Sequence, residues 1–270
     1  MYDYHVHTSF SADSTMPMEK AVRAAIAAGV REIAFTEHLD YIYPNCDLTF
    51  EFDYEPYSRE VDRLRAAYGQ SIAIRKAVEI GLHPEASERN LRFTEGGRFD
   101  FIIGSAHIID NLDLHNGDYF QGRSPAQALE TYFEQVYRLV CEYTRFHVFG
   151  HLTLIKRYLH YANTSWTEVD WTAYGDWIDA ILRQLIETGR GIEVNMSGHR
   201  YGLGISLPHL PILKRYRELG GEIVTIGSDA HIAEHIAHHF AEGHELLRAA
   251  GFTALTTFEA GKPVFVPIPD

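Results

Sequence analysis

Residues 222–231 read Glu-Ile-Val-Thr-Ile-Gly-Ser-Asp-Ala-His. The first six form a short apolar run closed by Gly227, the pattern of a buried strand. The run ends in Asp229 and His231. Residues 208–219 before it and 233–250 after it carry helical patterns, the first opened by Pro208. A strand set between two helices is the repeating unit of a parallel sheet.

The same unit recurs towards both ends of the chain. Strands are expected at residues 2–6, 32–36, 72–80, 99–105, 147–150 and 191–195. Helices are expected at 17–28, 54–68, from 125 onward and at 171–188. Pro17 opens the first helix and Gly29 stops it, the usual asymmetry of helix ends. The helix from Pro125 sets Ala128, Leu129, Tyr132, Phe133, Val136 and Leu139 on one face. Residues 252–268 are expected to add an edge strand. Seven or eight strand–helix units favour a closed β/α barrel. An open doubly wound sheet competes, but no GxGxxG or GxxxxGK[ST] stretch supports it.

Composition narrows the setting. Of 270 residues, 46% are hydrophobic and 23% charged, which excludes disorder and collagen. No apolar run reaches the ~18 residues of a membrane helix. The N-terminus has no basic and apolar leader, and Cys46 and Cys141 make no disulfide framework, so a cytoplasmic protein is expected. With 24 basic against 37 acidic residues, the net charge of -13 disfavours nucleic acid as partner. No Pro-, Gly- or Ser-rich linker divides the chain, so one domain is expected over residues 1–270.

The 16 histidines are the unusual feature. His5 and His7, two apart at the end of the first strand, share one side of an extended chain. His38 follows the second strand and Glu79 lies near the end of the third. His107, His151, and the pair Asp229 and His231 follow the fourth, fifth and seventh. Strand C-termini are where barrels build sites. Clustered buried ionisable groups are costly unless paired or bound to metal. Imidazole and carboxylate without thiolate suit Zn, Mn or Fe. A catalytic zinc takes about three protein ligands, so this many implies two or three ions, and Glu79 has two oxygens with which to bridge them. The aromatic, acidic segment 40–56 reads either as a wall or lid of that site or as a loop packed on the rim.

The set His5-Val-His7, Thr36-Glu-His38, Glu79, Gly104-Ser-Ala-His107, Gly150-His151 and Gly227-Ser-Asp-Ala-His231 resembles the polymerase-and-histidinol-phosphatase (PHP) superfamily. Residues 103–110, 150–157 and 193–198 resemble its histidinol-phosphate phosphatase subgroup. The resemblance implies a distorted seven-stranded β/α barrel with a trinuclear metal centre. It implies His5, His7, Glu79 and Asp229 around a first ion, with Glu79 bridging to a second held by His107 and His151. His38 and His231 would hold a third. Where the family often has a further histidine, this chain offers Asp13.

The implied activity is hydrolysis of a small phosphorylated metabolite, L-histidinol phosphate, in histidine biosynthesis. The expected nucleophile is a hydroxide bridging the first two ions, because metal lowers the pKa of water to near 7. Catalytic roles fall to Asp229, His231 and Glu79, with Asp229 and His231 as candidates for protonating the leaving alkoxide. Arg157 and Arg200, on loops after the fifth and sixth strands, are expected to clamp the phosphate, since guanidinium matches its geometry. Lys156 is a lesser candidate for that task, and Asn195, Ser197 and His199 are further candidates for substrate contact. Three divalent ions would take the charge from -13 to about -7, so the positive potential needed is local.

Two alternatives remain on the sequence. One is a PHP phosphatase for phosphotyrosine or a sugar phosphate. The other is a zinc metallopeptidase using His231-Ile-Ala-Glu-His235, which requires one helix across both histidines. His235, His238 and His239 are expected on the final helix instead, and His147 in the core.

Overall fold

The computed structural model describes residues 1–269. Its strands are β1 Tyr2–Val6, β2 Glu32–Leu39, β3 Ala73–Gly81, β4 Phe101–Ser105, a hairpin of β5 Ile108–Ile109 and β6 Leu112–Asp113, then β7 Val148–Phe149, β8 Gly191–Asn195 and β9 Val224–Gly227, and last β10 Ala254–Glu259 and β11 Lys262–Pro267. The helices are α1 Met18–Ala27, α2 Tyr54–Tyr68, α3 Ser87–Thr94, α4 Pro125–Glu142, α5 Gly175–Glu187, α6 Leu210–Glu218 and α7 Phe240–Ala249.

Seven strands form one sheet in the order β1-β2-β3-β4-β7-β8-β9, and every neighbouring pair is parallel. The sheet curls until its edges meet. Val6 bridges Ala230, His7 N–H donates to Ala230 O at 2.9 Å, and Asp229 N–H donates to His5 O at 2.7 Å. The expected seven-stranded β/α barrel is therefore present, with closure just beyond the ends of β1 and β9.

The helices bury the faces their spacing prescribes. In α4, Ala128, Leu129, Tyr132, Phe133, Val136, Leu139 and Val140 are all buried. Its start is fixed by Pro125 and by a reciprocal capping box between Ser124 and Gln127. Each large apolar side chain so buried stabilises the fold by about 1.5–3 kcal/mol. Among the described residues, no helix is long and apolar enough to cross a membrane.

Several boundaries differ from expectation. β2 continues three residues past Thr36, because Glu37, His38 and Leu39 pair in register with Val78, Glu79 and Ile80. Polarity there marks a site, not a strand end. The last helix begins at Phe240, not near Ala233. Residues 233–239 instead hold a single 3-10 turn, Ala233–His235, and left-handed Ala237 and His239 at φ +55° and +59°. Thus His235, His238 and His239 lie on a loop, and the helix a metallopeptidase motif needs is missing from the described residues. The tail forms no edge strand on the barrel. β10 and β11 pair with each other as an antiparallel hairpin, and Phe258 packs on Tyr4 and Phe101 with its N–H donating to the Tyr4 hydroxyl at 2.7 Å. α3 and the β5–β6 hairpin were not expected at all.

Candidate metal centre

Strand register brings the ionisable residues together. His38 is the register partner of Glu79 across β2 and β3, so their side chains emerge side by side. His5 and His7 point inward from the end of β1 and are fully buried, as is Glu79. His151 and Asp229 follow β7 and β9 in left-handed backbone, φ +26° and +56°. Such a conformation costs a non-glycine residue on the order of 1–3 kcal/mol, and functional sites commonly store that strain.

The nine expected metal ligands converge in three groups. Around Glu79 Oε2 lie His5 Nε2 at 3.2 Å and His7 Nε2 at 3.5 Å, and Asp229 Oδ1 lies 3.9 and 3.7 Å from the same two nitrogens. The other Glu79 oxygen, Oε1, faces His151 Nε2 at 2.9 Å and His107 Nε2 at 3.4 Å. Asp13 Oδ2 stands 3.5 Å from His38 Nε2 and 3.2 Å from His231 Nε2. His38 Nδ1 also reaches Glu79 Oε2 at 3.0 Å, which joins the third group to the first.

These side chains are poised to bind cations. His5 Nε2, His7 Nε2, His38 Nδ1 and Glu79 Oε2 are buried without hydrogen-bond partners. Orphaned buried polar atoms are costly, and a bound ion removes that cost. The outer nitrogens are meanwhile engaged. His5 Nδ1 donates to Glu193 Oε1 at 2.6 Å, His7 Nδ1 to Ser11 Oγ at 3.2 Å, His107 Nδ1 to Asp40 Oδ1 at 2.8 Å and His231 Nδ1 to Asp229 O at 3.0 Å. Fixing Nδ1–H in this way leaves Nε2 as the free donor atom, as in known metal sites. Three-residue sets drawn from His5, His7, His38, Glu79, His107, His151, Asp229 and His231 have ligand atoms within 4.8 Å of one another.

The charge balance favours the same use. Burial opposes ionisation of Glu79, but His5, His38 and His107 outweigh it and hold the carboxyl well below its ordinary range. Asp229 is likewise held low against burial by His5, Arg157, His231 and His7. Asp13 is depressed by His38 and His231 despite partial burial. Burial, and then the neighbouring histidines, push His7 well below its usual value, so it stays neutral.

Above the cluster opens a cavity of about 320 Å³. Tyr43, Phe50, Leu154, Tyr158, Tyr201 and Ile232 line its sides. Segment 40–56 thus supplies part of the wall. Arg157 reaches the cavity with its guanidinium over the Tyr201 ring at 3.8 Å and Nη2 3.4 Å from Asp229 Oδ2, and its Nε has no partner. Arg200 also lines the cavity, but both terminal nitrogens donate to backbone oxygens, of Ser228 and Asp229. It therefore braces the loop that carries Asp229.

Other candidates lie elsewhere. Lys156 is 2% exposed and turned away from the cavity, with Nζ 2.8 Å from His209 Nδ1 and 4.2 Å from the Trp171 ring centre; burial pushes it down to about 7. It cannot clamp a phosphate in the cavity. Asn195 and Ser197 are fully buried and hold Asp229 and Arg157 in place, while His199 stacks on His239. His147 accepts the Ile102 N–H and is held down to about 4 by burial, so it is neutral, but it is half-buried against Phe101 and Phe258 and not a core residue.

Residues 3–197 match the PHP domain family. The chain belongs to the PHP family. Its PHP relatives include the histidinol-phosphatase of Lactococcus lactis subsp. lactis (strain IL1403), 30% identical over 96% of this chain and 95% of that protein. A probable histidinol-phosphatase of Clostridium acetobutylicum is 32% identical over 89% of this chain and 90% of its own. The fold superposes on the crystal structure of the Lactococcus lactis histidinol phosphate phosphatase complexed with Zn, L-histidinol and phosphate. The TM-score is 0.85 and the identity 28%, over 97% of this chain and 98% of that one.

The PHP centre also uses residues that sequence reasoning missed. Ser105 Oγ donates to Glu79 Oε1 at 2.6 Å. Glu37 accepts from Thr8 and Ser11 and so ties down the loop that carries Asp13. Asp40 holds His107, and Glu193 of β8 holds His5. The sequence offers no candidate ligand on β8. The available signal was the lone acidic residue inside the apolar run Gly191–Asn195.

Proposed function

We propose that this chain, acting as one domain over residues 1–270, hydrolyses L-histidinol phosphate to L-histidinol and phosphate in the cytoplasm. The carrying observation is its near-full-length similarity to a histidinol phosphatase, in a chain whose candidate ligands converge, eight of them in three-residue sets and Asp13 beside His38 and His231. His5, His7, Glu79 and Asp229 are the residues to hold a first divalent ion, His107, His151 and Glu79 a second, and Asp13, His38 and His231 a third. Zinc, iron and manganese all suit this donor set. Such ions, when bound, lower the pKa of water and neutralise phosphoryl charge.

The chain's own residues do the rest. Arg157 offers its guanidinium to the phosphoryl oxygens, a match of planar donors to a tetrahedral anion. Arg200 keeps the Asp229 loop rigid through the carbonyls of Ser228 and Asp229. Asp229, held as a carboxylate, turns Oδ1 inward and Oδ2 towards Arg157 and Asn195, so Oδ2 is the atom that would take the proton given up by the attacking water and pass it to the departing alkoxide. His231 supports that exchange from the same loop. Tyr43, Phe50, Tyr158 and Tyr201 give the cavity an aromatic wall for the leaving group.

The test is product analysis. Histidinol phosphate incubated with the protein should give histidinol and phosphate in equal amounts. Chelation should abolish the reaction and zinc restore it. Phosphate release that survives complete removal of bound metal overturns the reading.

A further inference from the structure

We propose that Glu193 is a positioning residue shared by two metal positions, and that Gly227 exists to admit it. This rests on the metal centre proposed above. Glu193 is 1% exposed, and among the described residues its only ion-pair partner is His5. Its two oxygens serve two different positions. Oε1 accepts from His5 Nδ1 at 2.6 Å, on the side of the first ion. Oε2 accepts from the His151 backbone N–H at 2.8 Å, on the side of the second, and from Asn195 Nδ2 at 3.2 Å.

Each contact has a task. The bond to Nδ1 fixes the tautomer and plane of the His5 ring, so that Nε2 faces Glu79 and Asp229. The bond to the N–H of His151 holds a residue whose φ of +26° only surrounding contacts can maintain. Glu193 thus does from outside the cluster what Glu79 does from inside it: it spans both positions.

One glycine leaves it room. A Cβ on Gly227 would stand 2.4 Å from Glu193 Oε1 and 2.4 Å from the His5 Cβ. A Cβ on Gly150 would instead crowd Ser105 Oγ, which holds Glu79, at 2.5 Å and Ile103 Cγ2 at 2.7 Å, and would meet Glu193 Oε2 only at an ordinary 3.6 Å. Neither glycine has a left-handed backbone, since both are missing from the positive-φ residues. Space, not backbone freedom, accounts for glycine at 227.

The experiment is zinc competition with a chromophoric chelator on metal-free protein, for wild type, Glu193→Gln, Gly227→Ala and Asp13→Ala. Glu193→Gln keeps shape but sets an NH2 against either the His151 N–H or the His5 Nδ1–H. It is expected to weaken two zinc equivalents together by about 10–100-fold. Gly227→Ala should do the same, while Asp13→Ala weakens one different equivalent. Cobalt-substituted Glu193→Gln should also show a shifted d–d absorption. Zinc affinities in both Glu193→Gln and Gly227→Ala within threefold of wild type overturn the proposal and leave the function untouched. A lowered melting temperature of the metal-free variants with unchanged zinc affinity also overturns it, because it assigns Glu193 to the fold alone. Wild-type protein that takes up no zinc overturns both this proposal and the function.

Discussion

Glu79 reaches His5 with one carboxylate oxygen, Oε2 to Nε2 at 3.2 Å, and gives its other oxygen to a different pair of histidines. A residue so placed cannot be lost from one metal position without being lost from the other. Glu79→Gln should therefore lower the content of two ions. Turnover should fall by more than the ~10–100-fold typical of residues that only support a ligand. Metal analysis beside steady-state kinetics checks this, and a variant with full metal content contradicts it.

Asp13 stands apart from Glu79 and meets only His38 and His231 among the ligands. Asp13→Ala should lose about one equivalent of metal and keep the rest, since three ligands define a position and two hold it poorly. Metal content after gel filtration decides between loss of one equivalent and of all.

Arg157 and Arg200 should part company. Arg157→Ala is expected to lower kcat/KM at least about tenfold with metal content unchanged, because it removes a charge-assisted contact to phosphate. Arg200→Ala should lower kcat/KM and also weaken metal retention, since it frees the backbone of Ser228 and Asp229. Equal metal content in the two variants would refute the bracing role of Arg200.

Metal binding should release protons. Burial disfavours the charged form of His107, yet Asp40 and Glu79 overcome it and raise His107 to about 10. His5 and His38 are raised as well, against burial, by their carboxylates. At pH 7 these rings carry protons that an ion must displace. Affinity should therefore fall as pH is lowered, and the protons released from His107 should vanish as pH rises through about 10. Zinc calorimetry at pH 7 in buffers of different ionisation enthalpy should show release of at least about one proton per protein. Asp40→Asn should reduce it.

The barrel and eight of the nine candidate ligands were legible in the sequence for one reason, whereas Asp13 rested on the family resemblance alone. Ligands at strand ends interrupt apolar runs, and both the run and the interruption are local. What failed was non-local. Glu193 and Asp40 act through partners far along the chain, and no spacing announces them. The start of α7 was misplaced because Asp3, 234 positions away, accepts the Ala237 N–H and holds the preceding loop. Lys156 reads in the sequence as a lesser candidate for the phosphate clamp beside Arg157, but a 3-10 helix, Leu154–Ala162, turns the two neighbours in different directions.

His235 illustrates the value of that correction. It lines the cavity from a loop and meets no candidate ligand set, so His235→Ala should keep full metal content. Loss of an ion would revive the metallopeptidase reading.

The most direct test of the account is the ratio of kcat/KM for histidinol phosphate to that for phosphotyrosine and for a sugar phosphate, on one zinc-loaded sample of known metal content. The account predicts a preference for histidinol phosphate of at least about a hundredfold, roughly 2.7 kcal/mol of transition-state discrimination. A flat profile across the three esters would contradict it.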